Sequence, residues 1–160
     1  MQAGDDVGRL LLEALDRAGL ALQDGDVVAV AQKIVSKAEG RLVALADVEP
    51  GEYAVRLARQ VDKDPRLVEL ILRESAEGSR AAPGVIIVRH RLGFTSANAG
   101  IDRSNVAPGG EERVLLLPHD PDESARLMRD AIIAARGVEV GVVITDSHGR
   151  PFRLGTVGVA

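Results

Sequence analysis

A chain of 160 residues with 46% hydrophobic content is long enough to form one domain with a substantial core. Only 2% of the residues are aromatic, and the absence of Cys excludes disulfides, thiolate metal sites and thiol catalysis. A net charge of −4 gives no general attraction for nucleic acid or anionic lipid, and no apolar run approaches the ~20 residues that span a bilayer. We therefore expect a cytoplasmic protein, a single domain over residues 1–160, with no nucleic-acid or membrane partner.

The apolar pattern divides the chain into helices and strands. Residues spaced at three and four positions predict helices over residues 7–18, 51–61, 65–77 and 121–136. Short apolar runs predict strands over residues 27–31, 114–117, 138–145 and 156–160, and a hairpin made of residues 85–88 and 94–98. The strand of residues 27–31 is expected to be buried on both faces. An apolar chain end is unlike an ordinary terminus, which favours a fragment of a longer protein.

Two turns rich in small polar residues carry the acidic side chains of interest. The first contains Asp102 and Asn105, a carboxylate and an amide three positions apart. The second, Asp146-Ser147-His148-Gly149-Arg150, comes directly after a predicted strand. Oxygen donors held in this way suit a hard cation such as Mg²⁺ or Mn²⁺. The alternative is a plain Asx turn without a ligand, in which His148 is an ordinary turn residue.

A basic segment follows the predicted strand of residues 27–31. Lys33, Lys37 and Arg41 lie near Ser36, so the segment could present cations and backbone amides to phosphate groups. The spacing is not that of a Walker A loop, and the alternative is a solvated basic edge. With the two acidic turns, the segment favours an enzyme that uses a divalent metal ion and a nucleotide or another phosphorylated metabolite. An unrelated kinase or phosphatase would fit this pattern too.

Four longer segments, taken in chain order, carry a more specific pattern, and together they extend over nearly the whole chain. They are residues 25–41, 98–106, 115–125 and 145–153. These segments resemble the coenzyme F420-0:L-glutamate ligase (gamma-glutamyl ligase) family. The resemblance implies an α/β (α+β) fold with a mixed sheet and helices, and a homodimer. It also implies GTP-dependent addition of L-glutamate to the deazaflavin precursor F420-0 through an acyl phosphate.

Carried over position by position, the resemblance implies two metal ions. Asp102 and Asp146 look like ligands of one divalent ion, either Mg²⁺ or Mn²⁺, and are therefore expected to approach each other in the folded protein. Ser147 looks like a ligand of a second ion, where many relatives have Thr. The resemblance further implies a requirement for K⁺.

The same resemblance implies a GTP-binding set. Gln32, Lys33, Lys37 and Asn105 look like its members, and Lys37 is expected to face the same cleft as Asp102. Gln32 and Lys33 depart from the small hydroxyl residues that some family members carry at these positions. This departure leaves backbone contacts as the expected mode of binding there.

The family also has an N-terminal nucleotide-binding turn and a Gly-rich C-terminal segment that have no counterpart in these 160 residues. We therefore expect the chain to correspond to the central part of the catalytic domain. A non-catalytic fragment that keeps the fold and binds metal or nucleotide weakly is the main alternative to an active ligase.

Overall fold

The computed structural model describes residues 1–103, 112–149 and 156–159. The chain forms two compact units. The first unit contains Met1–Arg41, Leu117–Asp146 and Gly158–Ala160, and the second contains Leu42–Leu116 and Ser147–Val157. The expectation of one domain over residues 1–160 stays a prediction.

Helices and strands follow each other along the chain, and the strand predicted over residues 138–145 begins only at Gly141 and continues to Gly149. The helices are α1 (Val7–Ala18), α2 (Gln32–Ala38), α3 (Glu52–Val61), α4 (Pro65–Arg73) and α5 (Pro121–Arg136). The strands are β1 (Val27–Ala31), β2 (Leu42–Ala44), β3 (Ser75–Ala82), β4 (Val85–His90), β5 (Thr95–Ala97), β6 (Arg113–Leu115), β7 (Gly141–Gly149) and β8 (Thr156–Val159). Short 3-10 turns occupy Leu45–Asp47 and Asn98–Gly100. None of the helices in the described part of the chain is long and apolar enough to cross a membrane.

The sheet of the first unit is built around a parallel strand pair. Strand β1 runs parallel to β7, with Val27 opposite Gly141 and Ala31 opposite Thr145, and the strand order is β1-β7-β8. One face of the pair packs under the helices in a core that contains Val30, Val35, Met128, Val7, Val28, Val142 and Ile144. The expectation that β1 is buried on both faces is wrong, because its alternate residues are exposed and Val27 is 67% exposed.

The second unit contains the antiparallel strands. Strands β3, β4 and β5 form one sheet in that order, and β2 pairs with β6 in another. Helices α3 and α4 share a continuous apolar core with β4 and β6, through residues that include Val61, Val68, Ile71, Val88 and Val114. Together with the parallel pair of the first unit, these strands confirm the predicted α/β fold with a mixed sheet.

The hairpin of residues 85–98 is confirmed, and the helix of residues 65–77 is only partly right. Helix α4 begins at Pro65 after the N-cap Asp64, as predicted, but it ends at Arg73. Ser75 then begins β3, an edge strand whose residues are mostly exposed. Its pairing with β4, which includes two register shifts, holds this polar segment in an extended conformation.

Candidate active site

The carboxyl end of the β1–β7 pair brings together several candidate residues of the first unit. Ala31 is the last residue of β1 and lies opposite Thr145, so Asp146 follows directly beyond this pair in β7. Gln32 follows Ala31 as the first residue of α2. Ligands of α/β proteins bind outside the carboxyl ends of parallel strands, which makes this edge a suitable place for a phosphate ligand.

The basic segment forms a helix, although the sequence suggested a segment that presents backbone amides. No side chain of the described residues caps α2 at its N-terminus, and Ala31 occupies the N-cap position. The helix is instead held by packing, because Val35 is only 2% exposed and belongs to the core of the first unit. Lys33 and Lys37 are one helical turn apart and therefore lie on the same face of α2.

Gln32 is placed differently from the two lysines. Its side chain is 4% exposed, and its Oε1 atom accepts a hydrogen bond of 2.8 Å from the Oγ of Ser36, which is fully buried. This bond ties the first turn of α2 to the second. Its part in nucleotide binding, including the expected contact through the backbone, stays a prediction.

Arg41 and Glu39 fix the segment that follows α2. The Arg41 Nε donates a hydrogen bond of 2.8 Å to the carbonyl oxygen of Leu117. Glu39 accepts hydrogen bonds of 2.7 Å from the backbone N–H of His119 and from the Oγ of Ser124. The structure therefore gives Glu39, which no sequence pattern distinguishes, a defined role in holding the start of α5 beside the end of α2.

Asp102 lies in the second unit, directly beyond an unusual turn. Its backbone N–H donates to the carbonyl oxygen of Leu115 at 3.0 Å, and the N–H of Leu115 donates to the carbonyl oxygen of Asp102 at 2.8 Å. Asp102 is half-buried. The residues that precede it, Asn98, Ala99 and Gly100, all have left-handed backbone angles. Each non-glycine residue in this conformation costs roughly 1–2 kcal/mol, so the position of Asp102 depends on a strained segment.

Two cations of the second unit, Lys63 and Arg103, lie close enough to influence each other. Arg103, which follows Asp102, is exposed, and Lys63 is half-buried. Burial lowers the pKa of the Lys63 ammonium, and the positive charge of Arg103 lowers it further. No sequence pattern distinguishes Lys63, because its proximity to Arg103 arises only in the folded chain. Cations beside a carboxylate are suited to a phosphate ligand that shares a metal ion.

The predicted metal ligands have donor atoms that fit Mg²⁺ or Mn²⁺. Asp102, Asp146 and Ser147 offer carboxylate and hydroxyl oxygens, and Mg²⁺ is commonly held by one or two carboxylates together with substrate phosphates. Within the described ranges there is no group of three or more His, Asp or Glu residues placed to hold a metal ion. Asp146 belongs to the first unit and Asp102 to the second, and the metal ion that they are expected to share stays a prediction.

One correction concerns the second acidic turn. Asp146 and Ser147 are part of β7, which continues to Gly149, and do not follow the strand as predicted. Successive side chains of a strand point to opposite faces, so the predicted ligands Asp146 and Ser147 lie on opposite faces of β7. Asn105 and Arg150 lie outside the described residues.

Comparison with known proteins identifies the family. The sequence model described as F420-0:Gamma-glutamyl ligase matches residues 1–160. The chain belongs to this family. The resemblance seen in the four sequence segments is therefore confirmed.

Curated relatives are longer than this chain. A protein named coenzyme F420:L-glutamate ligase from Methanopyrus kandleri is 48% identical over 160 residues, which are 100% of this chain and 60% of the relative. A protein of the same name from Methanothermobacter thermautotrophicus is 46% identical over 99% of this chain and 62% of the relative. A third, from Haloarcula marismortui, is 47% identical over 100% of this chain and 61% of the relative. The chain thus spans about three fifths of the length of these relatives.

Proposed function

We propose that this sequence supplies nucleotide- and metal-binding residues of a GTP-dependent ligase that adds L-glutamate to the coenzyme F420 precursor F420-0. The observation that carries the proposal is the family match over residues 1–160, together with relatives named coenzyme F420:L-glutamate ligase. The cations of α2 and the oxygen donors of Asp102 and Asp146 support it, since they are the groups that phosphoryl transfer requires.

In the proposed reaction, an oxygen of the terminal carboxylate of F420-0 attacks the γ-phosphorus of GTP. The bond between that phosphorus and the β–γ bridging oxygen breaks, which gives an acyl phosphate and GDP. The amine of L-glutamate then attacks the acyl carbon, loses a proton and displaces phosphate, which leaves an amide bond. A bound Mg²⁺ or Mn²⁺ would neutralise charge on the phosphate oxygens.

The residues of this chain have distinct roles in the proposal. Asp102 and Asp146 would hold one divalent ion, and Ser147 would contribute to a second. Lys33 and Lys37 share one helix face and would place two ammonium groups against the phosphates of GTP. The remaining nucleotide contacts would come from Gln32 and Asn105. K⁺ as a further cofactor, a homodimeric assembly and a cytoplasmic location are parts of the same proposal.

The test uses both the 160-residue chain and the full-length gene product. Each is incubated with F420-0, GTP, Mn²⁺ and L-glutamate, and the product is identified by its mass. We expect glutamylated product from the full-length protein and none from the 160-residue chain, because an acyl phosphate must be kept from water in a closed site. Absence of product from the full-length protein would remove the proposed reaction, and turnover by the short chain would show that these residues suffice.

Two substitutions of acids connect the reaction to the proposed metal site. Asp102→Asn and Asp146→Asn in the full-length protein should each abolish detectable turnover, because each removes a charged metal ligand. Asp122→Asn is the matched control, since Asp122 is exposed in the first turn of α5. Equal activity in Asp102→Asn and Asp122→Asn would exclude Asp102 from the metal site.

A further inference from the structure

We propose that Asn98 is a positioning residue for Asp102. The Asn98 side chain makes the last hydrogen bond between β4 and the segment that follows β5. At this point the backbone adopts left-handed angles, before it reaches Asp102. The inference rests on the proposed function to the extent that Asp102 is taken to be a metal ligand. The placement of the Asp102 backbone can be tested without a metal.

The hydrogen bonds of the hairpin show what the Asn98 side chain replaces. The N–H of His90 donates to the carbonyl oxygen of Phe94 at 2.8 Å, and the register continues with Val88 opposite Ser96 and Ile87 opposite Ala97. The next position would place Ile86 opposite Asn98. There the N–H of Ile86 donates at 3.2 Å to the side-chain Oδ1 of Asn98, in the position where a strand would supply a backbone carbonyl.

The backbone carbonyl of Asn98 is used differently. It accepts a hydrogen bond of 3.1 Å from the N–H of Ile101, which closes the turn that leads to Asp102. Asn98 therefore accepts a hydrogen bond from Ile86 with its side chain and a second one, from Ile101, with its backbone carbonyl. Alanine has no side-chain acceptor, so the N–H of Ile86 would lose its partner in a partly buried position.

The conformation of the turn favours the same residue. Asn98 has a φ of 51°, Ala99 of 55° and Gly100 of 67°. Asn and Gly adopt left-handed angles more readily than other residues, and here they flank an alanine that is fully buried. Ala99 is packed in the core of the second unit, so the turn is anchored at its centre. The Asn98 bond to Ile86 anchors it at its beginning.

The turn and strand β6 hold Asp102 from two sides. Ile101 closes the turn, and the next residue, Asp102, makes the reciprocal backbone hydrogen bonds with Leu115 at 3.0 and 2.8 Å. These bonds fix the position of Asp102 along strand β6, while the turn fixes the direction of the backbone that leads to Asp102. Release of the turn at Asn98 is therefore expected to displace the Asp102 carboxylate without removing any ligand atom.

Three substitutions at Asn98 separate its two contributions. Asn98→Asp keeps an acceptor oxygen and tolerates left-handed angles, Asn98→Gly keeps only the backbone freedom, and Asn98→Ala keeps neither. We expect near-native behaviour for Asn98→Asp, an intermediate effect for Asn98→Gly and the largest effect for Asn98→Ala. The readouts are hydrogen exchange of the Asp102 and Leu115 amides by NMR, and Mn²⁺ affinity by electron paramagnetic resonance.

The expected size of the effect follows from residues that orient metal ligands. Their loss typically weakens metal binding by about 10- to 100-fold, and we expect a loss of about tenfold or more for Asn98→Ala. Exchange of the Asp102 and Leu115 amides should accelerate by about tenfold in the same variant, because their hydrogen bonds depend on the turn. Rescue of both readouts by Asn98→Asp is the result that supports positioning.

A matched control distinguishes positioning from a general loss of stability. Ile71→Val removes one methyl group from a fully buried residue of α4 in the same core. We expect Ile71→Val to keep a native-like Mn²⁺ affinity and native-like hydrogen exchange of the Asp102 amide, even when its melting temperature falls as far as that of Asn98→Ala. That result supports the inference. Equal changes in the two variants would overturn it.

Failure of the proposed function would look different. If Asp102→Asn, made in the otherwise unchanged protein, leaves the Mn²⁺ affinity unaltered, Asp102 is not a metal ligand and the proposed metal site is wrong. The exchange measurements still decide the inference in that case. Unchanged exchange of the Asp102 and Leu115 amides in Asn98→Ala would overturn positioning whether or not the metal site exists.

Discussion

The two units present their candidate residues on different kinds of backbone. In the first unit, Lys33 and Lys37 lie on one face of a helix, and Asp146 lies in a strand whose register is set by β1. In the second unit, three consecutive residues with positive φ, at positions 98–100, and then the extended Ile101 lead to Asp102. Regular elements place side chains through repeated hydrogen bonds, whereas the turn before Asp102 depends on a few individual contacts. Substitutions near Asp102 should therefore cost more than similar substitutions in α2.

The largest difference is expected when an alanine is enlarged by two methyl groups. Ala99→Val should destabilise the protein by about 3 kcal/mol or more, because a β-branched residue is placed at a left-handed angle and overfills a fully buried position. Ala38→Val, in α2, should cost about 0.5 kcal/mol, the difference in helix propensity. Urea unfolding of both variants measures the difference.

A second alanine separates burial from backbone conformation. Ala58 is 3% exposed and lies within α3, so Ala58→Val adds the same volume at a buried helical position. We expect it to cost about 1–2 kcal/mol from overpacking alone. If Ala99→Val costs no more than Ala58→Val, the left-handed turn carries no strain, and the contrast between the two units is wrong.

The face of α2 that carries Lys33 and Lys37 should show the opposite behaviour. A substitution there should change nucleotide affinity and leave the free energy of unfolding nearly unchanged. Lys37→Ala in the full-length protein should weaken GTP binding by about tenfold, because one charge-assisted contact to phosphate is lost. The free energy of unfolding should change by no more than about 0.5 kcal/mol, as for most surface substitutions. Calorimetric titration with GTP and urea unfolding give the two values.

Arg17→Ala is the matched control for Lys37→Ala. Arg17 is an exposed cation in the last turn of α1, and its removal changes the net charge by the same amount. Equal loss of GTP affinity in the two variants would mean that only the overall charge matters. Unfolding of the Lys37→Ala protein with unchanged nucleotide affinity would make Lys37 a structural residue.

The regular elements were predictable because their signals are local. Helix α5 begins and ends where the sequence predicts, since Asp120 caps its N-terminus, Pro121 opens the first turn and Gly137 ends it. Helix α2 lacks such signals, because Ala31 provides no side-chain cap and the apolar run of β1 leads directly into it. Strand β3 has no alternating pattern, and only its pairing with β4 makes it a strand.

The candidate site was predictable as a list of residue types, but its geometry was not. The carboxylates of Asp102 and Asp146 stand out in the sequence because each lies among small polar residues after an apolar run. The role of Asn98 depends on the N–H of Ile86, twelve positions away, and on the register of a hairpin. Contacts at that separation come from the pairing of strands, which the pattern around Asn98 does not contain.

The smallest expected effect concerns the acid dependence of the second unit. Asp64 caps α4 by accepting from the backbone N–H of Arg66 at 2.8 Å, and its carboxylate also accepts from the Arg66 side chain at 2.6 Å. Arg66 bonds at the same time to Glu112, beside strand β6 that supports Asp102. The hydrogen bond from the Arg66 side chain, aided by its charge and the backbone bond, holds the pKa of Asp64 below its usual value of 3.8.

A lowered pKa in the folded state means that the ionised Asp64 stabilises the protein above pH 3.8, and that this stabilisation is lost as the pH falls through the lowered pKa. Asp64→Asn keeps a good N-cap but removes the charge, so it should cost at most about 1 kcal/mol at pH 7 and progressively less toward pH 2. Urea unfolding across this range measures the change. Asp6→Asn is the matched control, because Asp6 caps α1 through the backbone N–H of Arg9. A cost of Asp64→Asn that stays constant down to pH 2 would show that the Arg66 pair does not stabilise α4.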